Sequence, residues 1–512
     1  MDETARAARA DHAERPEERP ATPPIPQTAQ PPQTVQTSSA HPATAGCCGD
    51  ALSAGPLRPA AVTAPRSAPD RTHTALGAAP AADPFDEPPR PRPPAGRPAA
   101  RPGRDPLEPK AGRDTVRRHN LSLVLRAVRD AGETTRAGIS ARVGLTRAAI
   151  SSLVEQLLEA GFLSESGKTF SGHAGRPGTV LKMARTGVAG LGVEINVDYV
   201  SVCVVDLAGT DRVRLVEHLD NRGGAPSRVL ARAARIAARA LASAEEQELR
   251  PVGAVLALPG LVSSGTVRSA PNLGWSRVLA EGLFAEALTA QRPQRPALPV
   301  RAENEANLAA LAELWFGGLG DARTFLYVSG EIGVGGALVL GGELLRGAHG
   351  FAGEIGHAVV APDGPECRCG SRGCLEQYAG QAALLRAAGL DESDGANAVS
   401  ELAHRARTGD ERTLLALARC GTMLGRVLSG AVNLFDPDAV VLGGIYRPLS
   451  PWLAPPASRE LSARVVSGLW PAAASRLRAA SPATDAVRGA AAMVVQDVLT
   501  DPLAYGPRTP AG

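Results

Sequence analysis

Aromatic side chains are scarce, at 3% of 512 residues, and between residues 1 and 112 Phe85 stands alone. A segment so poor in large apolar groups cannot bury enough surface to offset the entropy of ordering. Residues 1–112, rich in Ala, Pro, Thr and Arg, therefore read as a disordered Pro/Ala-rich tail. Long apolar runs are also missing. None reaches the length of a bilayer span, so no membrane is expected. The stretch from Met1 to His12 has no apolar h-region, which argues against secretion by that route and for a cytoplasmic chain with reduced thiols. Cysteines number only 7. Three of them cluster, which would leave one unpaired in any disulfide scheme. The adjacent Cys47 and Cys48 read as an inert pair, and Cys203 and Cys420 as core residues.

Charge is nearly balanced in sum, at +3, but not in distribution. Residues 1–112 carry 13 basic and 13 acidic side chains, residues 113–185 carry 12 and 6, and the remainder is net −3. A basic excess confined to one short segment points to contact with a polyanion there.

That segment has a helical pattern. Leu121, Val124, Leu125 and Val128 fall on one helix face. A short helix over about residues 135–143 and a turn at Gly144 follow, and then a third helix capped by Thr146. Ile150, Leu153, Val154, Leu157 and Leu158 form its core face, which leaves Arg147, Ala148, Ser151 and Ser152 outward. Gly161 stops it, and residues 162–183 read as a β-wing with Gly175-Arg176-Pro177-Gly178 near the tip. This is the order of a winged helix-turn-helix. From Gly190 onward, apolar strand hairpins alternate twice with Ala/Leu-rich helices, including residues 227–246 and one long helix over 401–434. The pattern suggests two α/β lobes with a cleft between them.

The densest chemistry lies between His349 and Glu376. His357, Cys367, Cys369 and Cys374 make a Cys₃His set suited to structural Zn²⁺, and four protein ligands leave no open position for an activated water. Gly370 and Gly373 let the backbone curl so that the sulfurs converge. Glu354 and Glu376 flank the set and suggest a polar pocket for a hydroxyl-rich ligand.

The run C-x-C-G-x-x-G-C-x-E, preceded by G-E-I-G-H, resembles the signature of the ROK family, whose members are sugar kinases and sugar-responsive transcriptional repressors. The resemblance covers about residues 113–495. It implies an actin-like ATPase (sugar-kinase) fold of two lobes preceded by a winged helix-turn-helix domain. The domains would be a DNA-binding domain over 113–185, an N-lobe over 186–300, a C-lobe with the zinc loop over 301–500 and a disordered C-terminal tail over 501–512. By that resemblance Thr146, Arg147, Ala148, Ser151 and Ser152 face the major groove, and Arg176 reaches phosphate or the minor groove.

Kinases of the family carry D-x-G-G-T where this chain has Glu194-Ile195-Asn196-Val197-Asp198. Val197 adds bulk where the backbone must approach a phosphate, and Asp198 adds like charge. Glu331 stands in the second glycine-rich turn, where the family has a small or neutral residue. ATP binding is expected to be lost or weak. The sugar side is better matched: Ala270–Trp275 resembles the P-N-L segment and Glu303–Glu313 the E-N-D-A-N motif, with Glu305 in place of the catalytic Asp. Carried over one at a time, the sugar contacts are Asn272, Asn304, Glu305, Glu354, His357 and Glu376. Asn304 and Glu305 could instead simply cap the following helix. His357 would place one ring nitrogen on zinc and the other on a sugar hydroxyl. The expectation is a non-enzymatic repressor that binds operator DNA as a homodimer or homotetramer and takes a sugar effector. An ATP-dependent, glucokinase-like sugar kinase with an added DNA-binding domain is the alternative.

Overall fold

The computed structural model describes residues 112–169, 178–391, 395–471 and 476–506. The readings of residues 1–111, of Arg176 and of residues 507–512 lie outside them. Residues 501–506, expected to be disordered, are ordered: Pro502–Ala504 form a 3₁₀ turn, and Tyr505 packs on the core and accepts from Arg250 Nη2 through its carbonyl at 3.0 Å. The elements below belong to one compact unit, Gly103–Gly512.

Its first part contains α1 (Arg113–Ala131), β1 (Glu133–Thr135), α2 (Arg136–Val143), α3 (Arg147–Glu159), β2 (Leu163–Thr169) and β3 (Gly178–Met183). Leu121, Val124, Leu125 and Val128 are all buried, as the spacing required. Thr135 caps α2 by accepting from the Gly138 amide at 3.2 Å, and Thr146 caps α3 by accepting from the Ala149 amide at 3.3 Å. Gly144 ends α2 at φ +77°, a conformation that costs glycine nothing. The strands order as β1-β3-β2, all antiparallel. β1 was not foreseen, because three residues carry no periodicity.

The next part contains β4 (Gly187–Ile195), β5 (Tyr199–Asp206), β6 (Asp211–His218), α4 (Pro226–Glu246), β7 (Leu249–Leu258), β8 (Leu261–Ser263), β9 (Thr266–Ala270), β10 (Trp275–Val278), α5 (Ala280–Gln291) and β11 (Val300–Asn304). Five of these strands form a sheet in the order β11-β7-β4-β5-β6. β4 to β6 are an antiparallel meander, and β7 and β11 add in parallel.

The last part runs through α6 (Glu305–Phe316), β12 (Phe325–Gly330), β13 (Val334–Leu340), β14 (Glu343–Leu344), α7 (Glu376–Ala379), α8 (Gln381–Ala388), α9 (Gly395–Arg407), α10 (Glu411–Phe435), β15 (Ala439–Gly444), α11 (Tyr446–Arg464), β16 (Leu477–Ala479) and α12 (Ala486–Thr500). Its sheet orders as β14-β13-β12-β15-β16. The single long helix expected over 401–434 is in fact two, α9 and α10. Gly409 breaks the run at φ +84°, and Asp410 restarts it by accepting from the Thr413 amide at 2.8 Å. By length and composition alone α10 could cross a bilayer, but half of it is buried in the protein, where it packs on α11.

α12 is the junction of the molecule. With α6 it contributes to a core cluster that takes Val255 and Ala257 from the first sheet and Tyr327 and Val441 from the second. Its backbone lies directly on β4: a Cβ at Gly190 would sit 2.1 Å from the Ala491 carbonyl oxygen, and one at Gly192 2.1 Å from that of Val487. A Cβ at Gly489 would meet the Leu308 carbonyl oxygen of α6 at 1.9 Å. Its far side joins α1. Leu121, Val124, Leu125 and Val128 share one apolar cluster with Val495, Val498 and Leu499. Arg126 Nη2 donates to Thr500 Oγ1 at 2.9 Å, and Arg118 Nε lies 3.2 Å from Asp501 Oδ1.

Candidate functional site

The site assembles around the loop that leads into α7. His357 ends a short 3₁₀ turn over Ile355–His357. Its Nδ1 lies 3.7 Å from Cys367 Sγ, and Cys369 Sγ lies 3.7 Å from Cys374 Sγ. All four donor atoms fall within 4.8 Å of one another. The loop is drawn tight by Cys367 N–H donating to Ser371 O and Gly373 N–H to Pro365 O, each at 2.8 Å. Gly373 must be glycine, because a Cβ there would sit 1.6 Å from the Ala361 oxygen. Burial and the neighbouring thiols push Cys374 up to about 12, so a bound metal would have to displace its proton. Three thiols and an imidazole at this spacing could hold a metal ion, and the soft donor set suits zinc.

Two carboxylates stand beside this set, as their spacing suggested. Glu376 opens α7; its Oε2 accepts from Val334 N–H at 3.3 Å, and its Oε1 lies 3.9 Å from Cys367 Sγ. Glu354 Oε2 lies 3.9 Å from His357 Nε2, the ring nitrogen turned away from the thiols. Burial holds the Glu354 carboxyl above its usual range, with His357 pulling it down.

Further side chains come from the end of the first sheet and the segments beside it. Asn304 caps α6: its Oδ1 accepts from Ala306 and Asn307 N–H at 2.8 and 3.1 Å, and its Nδ2 donates to Gly260 O at 2.9 Å. Any further contact falls to its second N–H. Glu305 differs, because its Oε2 is shut away from solvent with no hydrogen-bond partner. Asn272 lies in the turn between β9 and β10, and its Oδ1 accepts from Arg368 Nη1 at 3.0 Å. Arg346 forks onto Glu303 Oε2 at 3.1 and 2.9 Å, and Glu303 in turn accepts from Asn307 Nδ2. Sequence reasoning missed Arg368, Arg346 and Glu303. Only Arg368 carried a visible signal, its place between two cysteines.

A third group of carboxylates comes from the end of β4, the start of α6 and the glycine-rich turn after β12. Glu194 on β4 is buried, and Tyr199 Oη donates to it at 2.5 Å. Glu331 follows β12 and accepts from Ser329 Oγ at 3.3 Å. Burial first, and then the like charges, push Glu194 up to about 7 and Glu331 up to about 8. Glu305 is raised well above its usual range by the same two causes, with Glu331 and Glu194 as the neighbouring charges. An environment that already resists a carboxylate resists a triphosphate more strongly.

At the other end of the molecule, Thr146, Arg147, Ala148 and Ser152 are exposed at the start of α3, and Ser151 is half-buried. They share the outward face opposite Ile150, Leu153 and Val154.

Two five-stranded sheets that share a core with α6 and α12 define an actin-like sugar-kinase fold, and the Cys₃His loop leads into α7 beside the second sheet. A family model described as the ROK family matches residues 190–497, and the chain belongs to that family. A xylose repressor of Caldicellulosiruptor bescii is 29% identical over 339 residues, which cover 63% of this chain and 82% of that protein. A glucokinase of Thermotoga maritima is 34% identical over 230 residues, 41% of this chain and 68% of the enzyme. Among solved structures, a ROK family transcriptional regulator described as a homologue of the E. coli MLC protein superposes with a TM-score of 0.61 at 23% identity, covering 76% of this chain and 98% of that one. The likeness is one of fold.

Proposed function

We propose that the chain is a sugar-responsive transcriptional repressor that binds operator DNA through α1–α3 and the β2–β3 hairpin and takes its effector in the interlobe cleft. The observation that carries the proposal is the core shared by α1 and α12, because α12 also lies against β4 and α6. A ligand that draws the lobes together acts on α6, whose first residues are Asn304 and Glu305, and so on the helix against which the DNA-binding part rests.

In this reading α2, the three-residue turn and α3 form a helix-turn-helix, and the β2–β3 hairpin is its wing. Thr146, Arg147, Ala148, Ser151 and Ser152 enter the major groove, and Arg176 in the wing contacts the backbone or the minor groove. Asn272, Glu305, Glu354, His357 and Glu376 bind hydroxyls, with Asn304 in support. Carboxylates and amides suit this task because each presents acceptors in fixed directions. His357, Cys367, Cys369 and Cys374 hold a structural Zn²⁺ that shapes the loop and performs no chemistry. The protein works in the cytoplasm as a homodimer or homotetramer on a symmetric operator and is not an enzyme. Glu194, Asp198 and Glu331, where the kinases hold phosphates, support that last point.

The test is operator binding followed by fluorescence anisotropy at fixed salt, since phosphate contacts make affinity strongly salt-dependent. DNA from upstream of the protein's own gene is titrated with a panel of pentoses and hexoses, xylose included, and their N-acetyl and 6-phosphate forms. One sugar should change the affinity about 5- to 150-fold, the span of ordinary allosteric couplings. Tight DNA binding that no sugar alters would overturn the effector half of the proposal. The likeness to glucokinases favours one second reading, an ATP-dependent sugar kinase. Phosphorylation of any panel sugar at about 1–100 per second, the ordinary rate of kinases, would establish it instead.

A further inference from the structure

Arg368 lies between Cys367 and Cys369, two of the four metal donors, yet its side chain reaches out of the loop to the turn between β9 and β10. Its Nη1 donates to Asn272 Oδ1 at 3.0 Å, a bond between positions 96 residues apart. Among the described residues this is the one side-chain hydrogen bond that Asn272 makes. Both ends rest on pinned backbone. On the Asn272 side, Leu273 N–H donates to Ala270 O at 3.0 Å and Gly223 N–H to Leu273 O at 3.2 Å. On the other, Gly370 N–H donates to Cys367 O at 3.0 Å, in the turn that the metal donors bracket.

The chemistry of the pair is directional. A guanidinium has only donors, so it must engage the oxygen of the Asn272 amide and not its nitrogen. Holding the oxygen fixes the amide plane and leaves both N–H donors of Nδ2 free for something else. An asparagine without this tie would present either end.

We propose that Arg368 is a positioning residue that ties the metal centre to the effector site. A metal gripping Cys367 and Cys369 fixes the backbone beneath Arg368, and Arg368 fixes the amide of Asn272. The cleft then demands a ligand oxygen that accepts at this point, such as a hydroxyl or a carbonyl. The inference rests on the sugar-binding reading of the cleft and adds a route by which metal loading sets sugar affinity.

Calorimetric titration of the panel sugars into the full chain tests it, with wild type, R368A, R368K and N272D each compared as the zinc-loaded and the chelator-treated protein. Arg368 is exposed, so R368A should melt where wild type does. Loss of one charge-assisted bond predicts binding about three- to tenfold weaker in R368A, with partial recovery in R368K, which keeps a donor. N272D keeps the tie but has no N–H to offer, and should lose at least as much as R368A. Chelation should weaken wild type more than it weakens R368A, because the two changes act through one contact and cannot add. Unaltered or tighter binding by R368A overturns the proposal, and so does equal metal dependence in R368A and wild type. If chelation unfolds the chain, the comparison of loaded R368A with loaded R368K decides. A wild-type protein that binds operator but no panel sugar overturns the cleft reading itself, an outcome distinct from failure of the Arg368 route.

Discussion

Glu194 on β4 and Glu331 after β12 are carboxyls whose surroundings disfavour the charged form, by desolvation above all. Their folded carboxyls titrate at about 7 and about 8, above the 4.5 of a free glutamate. The folded chain therefore binds more protons than the unfolded chain between those limits. The stability they contribute is fully present below about pH 4.5 and is lost as pH rises through 7 and 8. Tyr199, whose hydroxyl donates to Glu194, acts on the same cluster, as do Asp485 and Arg214 near Glu194, Asp198 near Glu331, and Glu305 near both. Replacing both residues by glutamine should flatten the alkaline fall of the melting temperature between about pH 5 and about pH 9 and raise it most at the alkaline end. Melting curves of the double variant and wild type across that range check this. A parallel fall in both proteins would mean that the carboxyls are already ionised at neutrality.

Among the elements, α12 makes the closest approaches. Backbone meets backbone at Gly190, Gly192 and Gly489, so none of the three can carry a side chain without moving the helix. At Gly192 a Cβ would also sit 2.7 Å from Ala491 N. Gly192→Ala should cost about 1–3 kcal/mol, as overpacking of tight interiors does. Urea denaturation reads this as a lower midpoint at unchanged slope. Gly430 on the outer side of α10 has open space around its Cβ position, so Gly430→Ala should be neutral or stabilising. The local devices of the other elements were largely visible beforehand. Thr146 before α3 and Gly144 after α2 act through bonds within four residues, and such signals survive in a bare sequence. The split between α9 and α10 was missed because the apolar spacing continues across Gly409 and outweighed a single glycine.

For the whole molecule the decisive contact is the seam between α1 and α12. Arg126 reaches Thr500 and Arg118 reaches Asp501 at its exposed edge, over an apolar strip that includes Val128 and Leu499. If sugar in the cleft acts on DNA through α12, weakening this edge should leave each ligand's own affinity nearly intact and reduce the coupling between them. In the pair R118A/R126A, operator affinity without sugar and sugar affinity without DNA should each stay within about threefold of wild type, since exposed pairs contribute about 1 kcal/mol or less. The sugar-induced change in operator affinity should shrink. Linkage demands that the DNA-induced change in sugar affinity shrink by the same factor, so anisotropy and calorimetry check one another. A full-sized sugar response in the double variant would rule out this edge as part of the route.

The sequence by itself determined the chemistry that is local. His357, Cys367, Cys369 and Cys374 span fewer than twenty positions, and glycine turns between them suffice to bring their donor atoms together. The helix faces around Leu121 and Ile150 follow from a period of 3.6 residues, and the strand hairpins from runs of apolar residues broken by turns. Only the tertiary structure decided what meets across long separations. Glu194, Glu305 and Glu331 come from β4, α6 and the turn after β12, and they become neighbours through the way the two sheets pack on α6 and α12. Asn272 and Arg368 become partners for the same reason, and Asn304 proves to cap α6 while its Nδ2 donates to Gly260 O. Periodicity and turn chemistry act over a few residues of backbone, whereas the pairing of distant side chains depends on how whole elements bury their apolar faces, which no short window of sequence contains.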